Sequence, residues 1–149
     1  MTNNIFDSLW IEKYRPTCLK DIILPDKTRE ILENYKKDGV TPNLLLCSKP
    51  GQGKTSLAKI IASEIYEQEP LFINCSDKNS VDDVRNSISN YAKSLNVDGK
   101  MKLAILDEAD GFANIQSQKI LRNLMEEVSD NTRFIITGNY KNKIIEAIR

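Results

Sequence analysis

The sequence predicts an α/β fold, a parallel sheet flanked by helices, and three observations carry that prediction. Four short apolar runs recur along the chain, helical stripes lie between them, and the first run leads directly into a glycine-rich turn that ends in lysine. The runs are Leu44–Cys47, Leu71–Ile73, Leu103–Leu106 and Phe134–Ile136. Each is too short for a buried helix, and an unbroken apolar run suits a strand covered on both faces. Strand alternating with helix is the pattern of a parallel sheet.

In chain order, Ile31, Leu32 and Tyr35 form the stripe of a helix over Lys27 to Lys37. Leu57, Ile60, Ile61 and Ile65 do the same for a helix opening at Lys54. Val81, Val84, Ile88, Tyr91 and Leu95 keep helical spacing, with Ser80 and Asp83 as a capping box. Ile120, Leu121, Leu124, Met125 and Val128 mark the helix before the fourth strand. No repeat, low-complexity stretch or linker divides the chain, so residues 1–149 read as one domain, which buries roughly 70% of its unfolded surface.

Composition narrows the chemistry. The chain has no histidine, which excludes Ser-His-Asp and Cys-His catalysis, two-histidine zinc motifs and imidazole proton shuttling. Lys+Arg number 21 and Asp+Glu 21, so bulk attraction to nucleic acid is not expected, although a local basic stripe is compatible with that balance. Cys18, Cys47 and Cys75 are far apart and odd in number, without a Cys-x-x-Cys pair, which fits a reducing compartment. Met1 to Leu9 lacks the pattern of a signal peptide, and no apolar run approaches the roughly 20 residues a bilayer needs. An intracellular, soluble, cytoplasmic protein with no membrane partner is the expectation.

Ser48-Lys49-Pro50-Gly51-Gln52-Gly53-Lys54-Thr55 follows the first strand and opens a helix, with Ser56 next in line. It is the Gly-x-x-x-x-Gly-Lys-Thr phosphate loop, with Ser48 in place of the first glycine. Gly51 and Gly53 let backbone N–H groups curl around phosphate oxygens at a helix amino terminus. Lys54 is placed to reach β- and γ-phosphates, and the Thr55 hydroxyl to ligate Mg2+. The alternative is an ordinary glycine-rich turn with an exposed lysine; the strand before and the helix after argue against it.

The third strand runs into Asp107-Glu108-Ala109-Asp110 at the carboxyl edge of the sheet, where open α/β folds bind ligands. Asp107 would hold magnesium through its water shell, and Glu108 would orient and polarise the attacking water. Read alone, the segment is equally a strand ending in a solvated acidic loop. Asp110 is the weaker member, more a cap for the next segment than a chemical group. The same four letters occur in helicases, but those need two motor domains and this chain has room for one. The fourth strand ends in Thr137-Gly138-Asn139, and the Asn139 amide could touch both γ-phosphate and water; by composition alone it is a turn former.

Taken together, these residues resemble a known family. Leu9-Trp10-Ile11-Glu12-Lys13-Tyr14-Arg15-Pro16 is similar to the amino-terminal box of sliding-clamp loaders of the AAA+ class. The phosphate loop, Asn74-Cys75-Ser76-Asp77, the Asp-Glu-Ala-Asp box, Asn139 and the tail Lys143-Ile144-Ile145-Glu146-Ala147-Ile148 follow in that family's order. The resemblance is to replication factor C small subunits and to the large subunit of T-even-type bacteriophage clamp loaders, and it covers nearly the whole chain. It implies a P-loop NTPase of the AAA+ type that uses ATP and Mg2+. Its partners would be other clamp-loader subunits, a sliding clamp and primer–template DNA, in the host cytoplasm if phage-encoded. It also implies that Tyr14, Arg15 and Pro16, with Ile22 and Ile23, pack near the adenine. Asn74 would hold Glu108 out of line until DNA binds. Arg85 matches a helix position that in the family contacts the template backbone, and Lys119 and Arg122, three apart on one face of the helix after the acidic box, are further candidates for DNA phosphates, against the plain alternative of solvated basic side chains.

In the family the chain continues into a Ser-Arg-Cys segment carrying an arginine finger, then a last strand, a helical lid and a collar. Arg149 falls one residue before that serine, so it is not assigned as the finger. The expectation is therefore the amino-terminal ATPase portion, truncated before the last strand and the lid, with the phosphate-loop strand left as an apolar edge. Such a fragment, from a split gene or rejoined later to a carboxyl-terminal half, would bind nucleotide and turn it over poorly by itself. Two other readings stand beside it. One is a non-hydrolysing nucleotide-binding scaffold, and the other is a different AAA+ remodeller such as a helicase loader or a Holliday-junction motor.

Overall fold

A computed structural model describes residues 14–76, 81–94, 99–111 and 115–148. Helix α1 (Asp26–Asp38) precedes strand β1 (Leu44–Cys47), and α2 (Lys54–Ile61) runs on into a π-helical turn, Ala62–Tyr66. Then come β2 (Leu71–Asn74), α3 (Val81–Lys93), β3 (Lys102–Asp107), a 3-10 turn (Ala109–Gly111), α4 (Ile115–Glu127) and β4 (Thr132–Gly138). Two further 3-10 turns, Lys141–Lys143 and Glu146–Ile148, close the described chain. The strands pair in the order β1-β4-β3-β2, and every pairing is parallel.

The four apolar runs are the four strands, and period-2 alternation sorts their side chains between two cores. Leu103 and Ile105 of β3 and Ile135 of β4 face Leu32 of α1 and Leu57, Ile60, Ile61 and Ile65 of the α2 segment. Ala104, Leu106, Phe134 and Ile136 point to the other face, against Val84 and Ile88 of α3 and Leu121, Leu124 and Met125 of α4. All six residues of β3 are buried, as a central parallel strand requires. The helices fall where the spacing places them, within a residue of the expected ends for α1, but of that stripe Leu32 is buried while Ile31 is 41% exposed, on the rim of the packed face. Ser80 of the expected capping box, Leu95 and the Leu9–Lys13 portion of the amino-terminal box lie outside the described residues.

Several side chains fasten the elements in ways the apolar pattern does not announce. Lys102 is buried at the start of β3, and its ammonium donates to Tyr91 O (2.6 Å), Ser94 Oγ (2.8 Å) and Ser94 O. It thereby caps the carbonyl end of α3, where a cation is favoured. Gln118 of α4 is also buried. Its amide donates to Lys143 O (2.7 Å) and its carbonyl accepts from Ile145 N (2.7 Å), tying the segment after β4 to the helix.

The chain ahead of α1 is held just as firmly. Arg29 donates to Leu19 O (2.8 Å) and Ile22 O (2.9 Å), while Glu64 accepts from Leu19 N (2.6 Å) and Lys36 Nζ (2.5 Å). Burial by itself would raise the Glu64 pKa, but the Lys36 ammonium and the Leu19 N–H outweigh it and hold the carboxyl below its usual range. This network seats Ile22 beside the phosphate loop, so that a Cβ built on Gly53 would lie 3.8 Å from its Cδ1.

Candidate functional site: a phosphate loop facing two strand tips

Parallel pairing brings the carboxyl ends of β1, β3 and β4 to one edge. Register sets Cys47 beside Gly138 and Asn74 beside Asp107. A cleft of about 390 Å³ opens there. Pro50, Gly51, Gly53, Lys54, Thr55 and Ser56 line one side, and Glu108, Thr137, Gly138, Asn139 and Arg15 the other.

Gly51 and Gly53 have φ of 77° and 76°, the left-handed region that glycine adopts without strain, so the loop curls as the motif requires. Lys54 is the first residue of α2, and its ammonium donates to Ser48 O (2.9 Å), Lys49 O (3.1 Å) and Asn139 Oδ1 (2.8 Å). All three acceptors are neutral, so among the described residues no carboxylate offsets this charge at hydrogen-bond range. A cation held this way at a helix amino terminus suits an anion. Ser48, the departure from the motif, keeps its part in the loop through its carbonyl. Gln52 is exposed and does not line the cleft.

Opposite the loop, Thr55 Oγ1 donates to Asp107 Oδ1 (2.8 Å) and lies 3.1 Å from Oδ2. Thr137 Oγ1 also donates to Asp107 Oδ1 (2.6 Å) and accepts from Glu108 N (3.0 Å). One hydroxyl therefore fixes both acidic positions. Glu108 has φ 55°, a left-handed conformation rare for a residue with a side chain, and its carbonyl accepts from Gly111 N (2.8 Å). The turn aims the backbone so that Asp107 is buried and Glu108 is exposed to the cleft.

The oxygens of Thr55 and Asp107 fit magnesium, which takes few protein oxygens and keeps much of its water shell. Among the described residues no group of three or more His, Cys, Asp or Glu converges as a tighter chelating site would need. Cys75 lies nearby, but burial, then the Asp107 and Glu108 carboxylates, push its thiol up to about 12. It is a neutral core group, not a nucleophile.

The remaining sequence candidates fall in several places. Of the adenine group, Arg15 lines the cleft, while Tyr14 (69% exposed) and half-buried Pro16 do not. Ile22 is buried, and its neighbour Ile23 is 98% exposed, pointing away from that packing. Asn74 stands at the tip of β2, but its Oδ1 accepts from Ser76 N (2.9 Å). Among the described residues it makes no hydrogen bond to Glu108. Arg85 is exposed on α3 and Lys119 on α4, away from the cleft. Arg122 pairs with Glu126 one turn on (2.8 Å).

Sequence reasoning missed two residues. Thr137 is the hub just described. The other is Asp110, read from the sequence as a cap; its Oδ2 accepts from the backbone N–H of Asn139 (3.0 Å) and Tyr140 (3.1 Å), across the gap to the end of β4. The signal for both was the strand-tip register, which spacing along one segment does not carry. A second cavity, of about 470 Å³, borders α1 and the π-helical turn, and both of its lysines are paired, Lys36 with Glu64 and Lys100 with Glu67.

Known proteins resemble this chain along nearly its whole length. The replication factor C small subunit of Thermofilum pendens is 40% identical over 148 residues, 96% of this chain and 45% of that protein. Replication factor C subunit 4 of Saccharomyces cerevisiae is 40% identical over 146 residues, 94% of this chain and 45% of that one. The chain thus spans about half the length of the curated relatives it matches. The RuvB Holliday junction branch migration motor of Thermotoga maritima shares the fold, with a TM-score of 0.67 at 23% identity over 91% of this chain and 45% of that chain. The sequence pattern of the ATPase family associated with various cellular activities (AAA) matches residues 44–149, and the chain belongs to that family.

Proposed function

We propose that this chain is the ATP-binding and ATP-hydrolysing part of a DNA sliding-clamp loader subunit. ATP binding and hydrolysis would be coupled to opening a clamp and placing it on primer–template DNA. The observation that carries the hydrolytic half is the closed constellation at the strand tips: Lys54 on Asn139, Thr55 on Asp107, and Thr137 holding Asp107 and Glu108 together. The clamp-loader half is supported by 40% identity to a replication factor C small subunit over 96% of the chain.

Each residue has a role that follows from its chemistry. The loop N–H groups and Lys54 bind the triphosphate, and Lys54 and Asn139 bear on its terminal phosphate, where charge spreads in the transition state. Thr55 and Asp107 would hold magnesium, which would supply positive charge against the phosphate oxygens. Glu108, exposed at the end of a fixed turn, accepts a hydrogen bond from the attacking water and aligns it. Asn74 is proposed to bias Glu108. Arg85, Lys119 and Arg122 are proposed to meet DNA phosphates, each adding about one unit to the salt dependence of binding. Arg15, with Tyr14, Pro16, Ile22 and Ile23, is proposed to border the base. Neighbouring subunits are proposed to complete the site, so the chain alone turns over slowly.

Nucleotide binding and single-turnover hydrolysis test this together. Lys54→Ala should lose most nucleotide affinity with its thermal unfolding unchanged. Glu108→Gln should bind ATP as tightly as the native chain and hydrolyse it about 10²–10⁴-fold more slowly within the assembled complex. Equal loss of binding in the Glu108 variant would count against its role, and a complemented assembly that releases no phosphate would favour a nucleotide-binding scaffold.

A further inference from the structure

We infer that Asp110 is the positioning residue for Asn139, and that it sets the grip of the site on the terminal phosphate. This rests on the ATPase reading given above. Three contacts close the gap between the tips of β3 and β4, one residue at a time. Asp107 takes the Thr137 hydroxyl, the Glu108 N–H meets the same hydroxyl, and the Asp110 carboxylate takes the N–H groups of Asn139 and Tyr140.

The third contact bears on the cleft most directly. β4 ends at Gly138, so the next two N–H groups have left the sheet ladder and need another acceptor. One oxygen of Asp110 serves both, at 3.0 and 3.1 Å. Asn139 then presents Oδ1 to Lys54 Nζ at 2.8 Å. Asp110 itself does not line the cleft, yet it fixes the backbone of Asn139, which does.

Gly138 explains how the carboxylate comes so close. A Cβ there would stand 3.0 Å from Ile144 Cδ1 and 3.4 Å from Asp110 Oδ1, so the absence of a side chain lets Asp110 lie against the strand end. The turn that carries Asp110 is braced from behind. A Cβ on Gly111 would come within 2.7 Å of Ser76 Oγ, so this turn packs directly on the turn that follows β2. The turn is therefore closed off at Gly111 by Ser76, while Asp110, one residue earlier, delivers its acceptor to the end of β4.

A double-mutant cycle on the full chain tests the assignment, read as the ratio of ATP to ADP affinity. Asn139→Ala should lower that ratio about tenfold, the size of one hydrogen-bonded contact to a charged group. Asp110→Ala should lower it by a similar factor, and the double variant no further than Asn139→Ala alone. Asp110→Asn keeps an acceptor oxygen and should stay within about twofold of the native ratio. Should the alanine chain fail to fold, Asp110→Glu, which keeps the charge but lengthens the arm, must show the same non-additive pattern.

Amide hydrogen exchange gives a readout that needs no nucleotide. The Asn139 and Tyr140 amides should exchange faster in Asp110→Ala or Asp110→Glu and remain protected in Asp110→Asn. A double variant that loses about a hundredfold, or amides unmoved by Asp110→Ala, overturns the proposal. If the native chain takes up no nucleotide, the ATPase reading falls, while amide exchange still judges Asp110 separately.

Discussion

Thr137 shows how much can depend on one hydroxyl. It donates to Asp107 and accepts from the N–H of Glu108, whose backbone stands in the left-handed region. Thr137→Val preserves the shape and removes both bonds, leaving a buried carboxylate oxygen and an N–H without that partner. The expected cost is about 1–3 kcal/mol in urea unfolding, accompanied by slower hydrolysis because Glu108 is no longer held. A variant with native stability and native turnover would mean the hydroxyl is dispensable. At this scale the sequence was legible wherever the chemistry sits in one continuous segment: Lys54, Thr55, Asp107 and Glu108 are singled out by two short motifs, and the fold brings them to one edge. Thr137 and Asp110 were not, because their partners lie about 30 residues away in sequence and only the strand register brings them together. Ile22 and Ile23 make the same point, since neighbours along a chain point different ways and no motif says which is buried.

The elements follow from alternation and stripes, and their energetics follow from burial. Ile105 of β3 is fully buried, its side chain in the core against α1 and α2. Ile105→Ala should cost about 2–5 kcal/mol, depending on how far the site collapses. Lys102 illustrates what the pattern hides. Beside an apolar run it looks like a solvated lysine, yet it is buried and caps α3. The reason is geometric: the end of one helix happens to lie over the start of the next strand, which local sequence does not encode. Acid should loosen the contact between the α2 segment and the chain before α1. Glu64 has a folded-state pKa below its ordinary 4.5, so its contribution is complete above about that pH and fades as pH falls through the folded value. The stability gap between the native chain and Glu64→Gln should accordingly be widest near neutrality and close on acidification. A gap that stays constant across that range would contradict the assignment.

Over the whole molecule, the strand order β1-β4-β3-β2 gathers a glycine turn, two acids and an amide onto one edge of the sheet, while the two cores that hold that edge lie behind it. The fold class was legible because unbroken apolar runs and helical stripes alternate without exception. The site was legible in its parts, and its closure was not, since closure is a property of the pairing between strands. A ligand that binds only the folded chain links folding to uptake: at a hundred times Kd, Mg-ATP should stabilise the chain by about 2.7 kcal/mol, a rise of roughly 5–10 °C in Tm. The most direct measurement is an equilibrium titration of the folded chain with a fluorescent ATP analogue in magnesium, run alongside Lys54→Ala. Saturable one-to-one uptake by the native chain, and nearly none by the variant at unchanged Tm, is the expected result. No saturable uptake by folded native protein, or equal uptake by both, would contradict it.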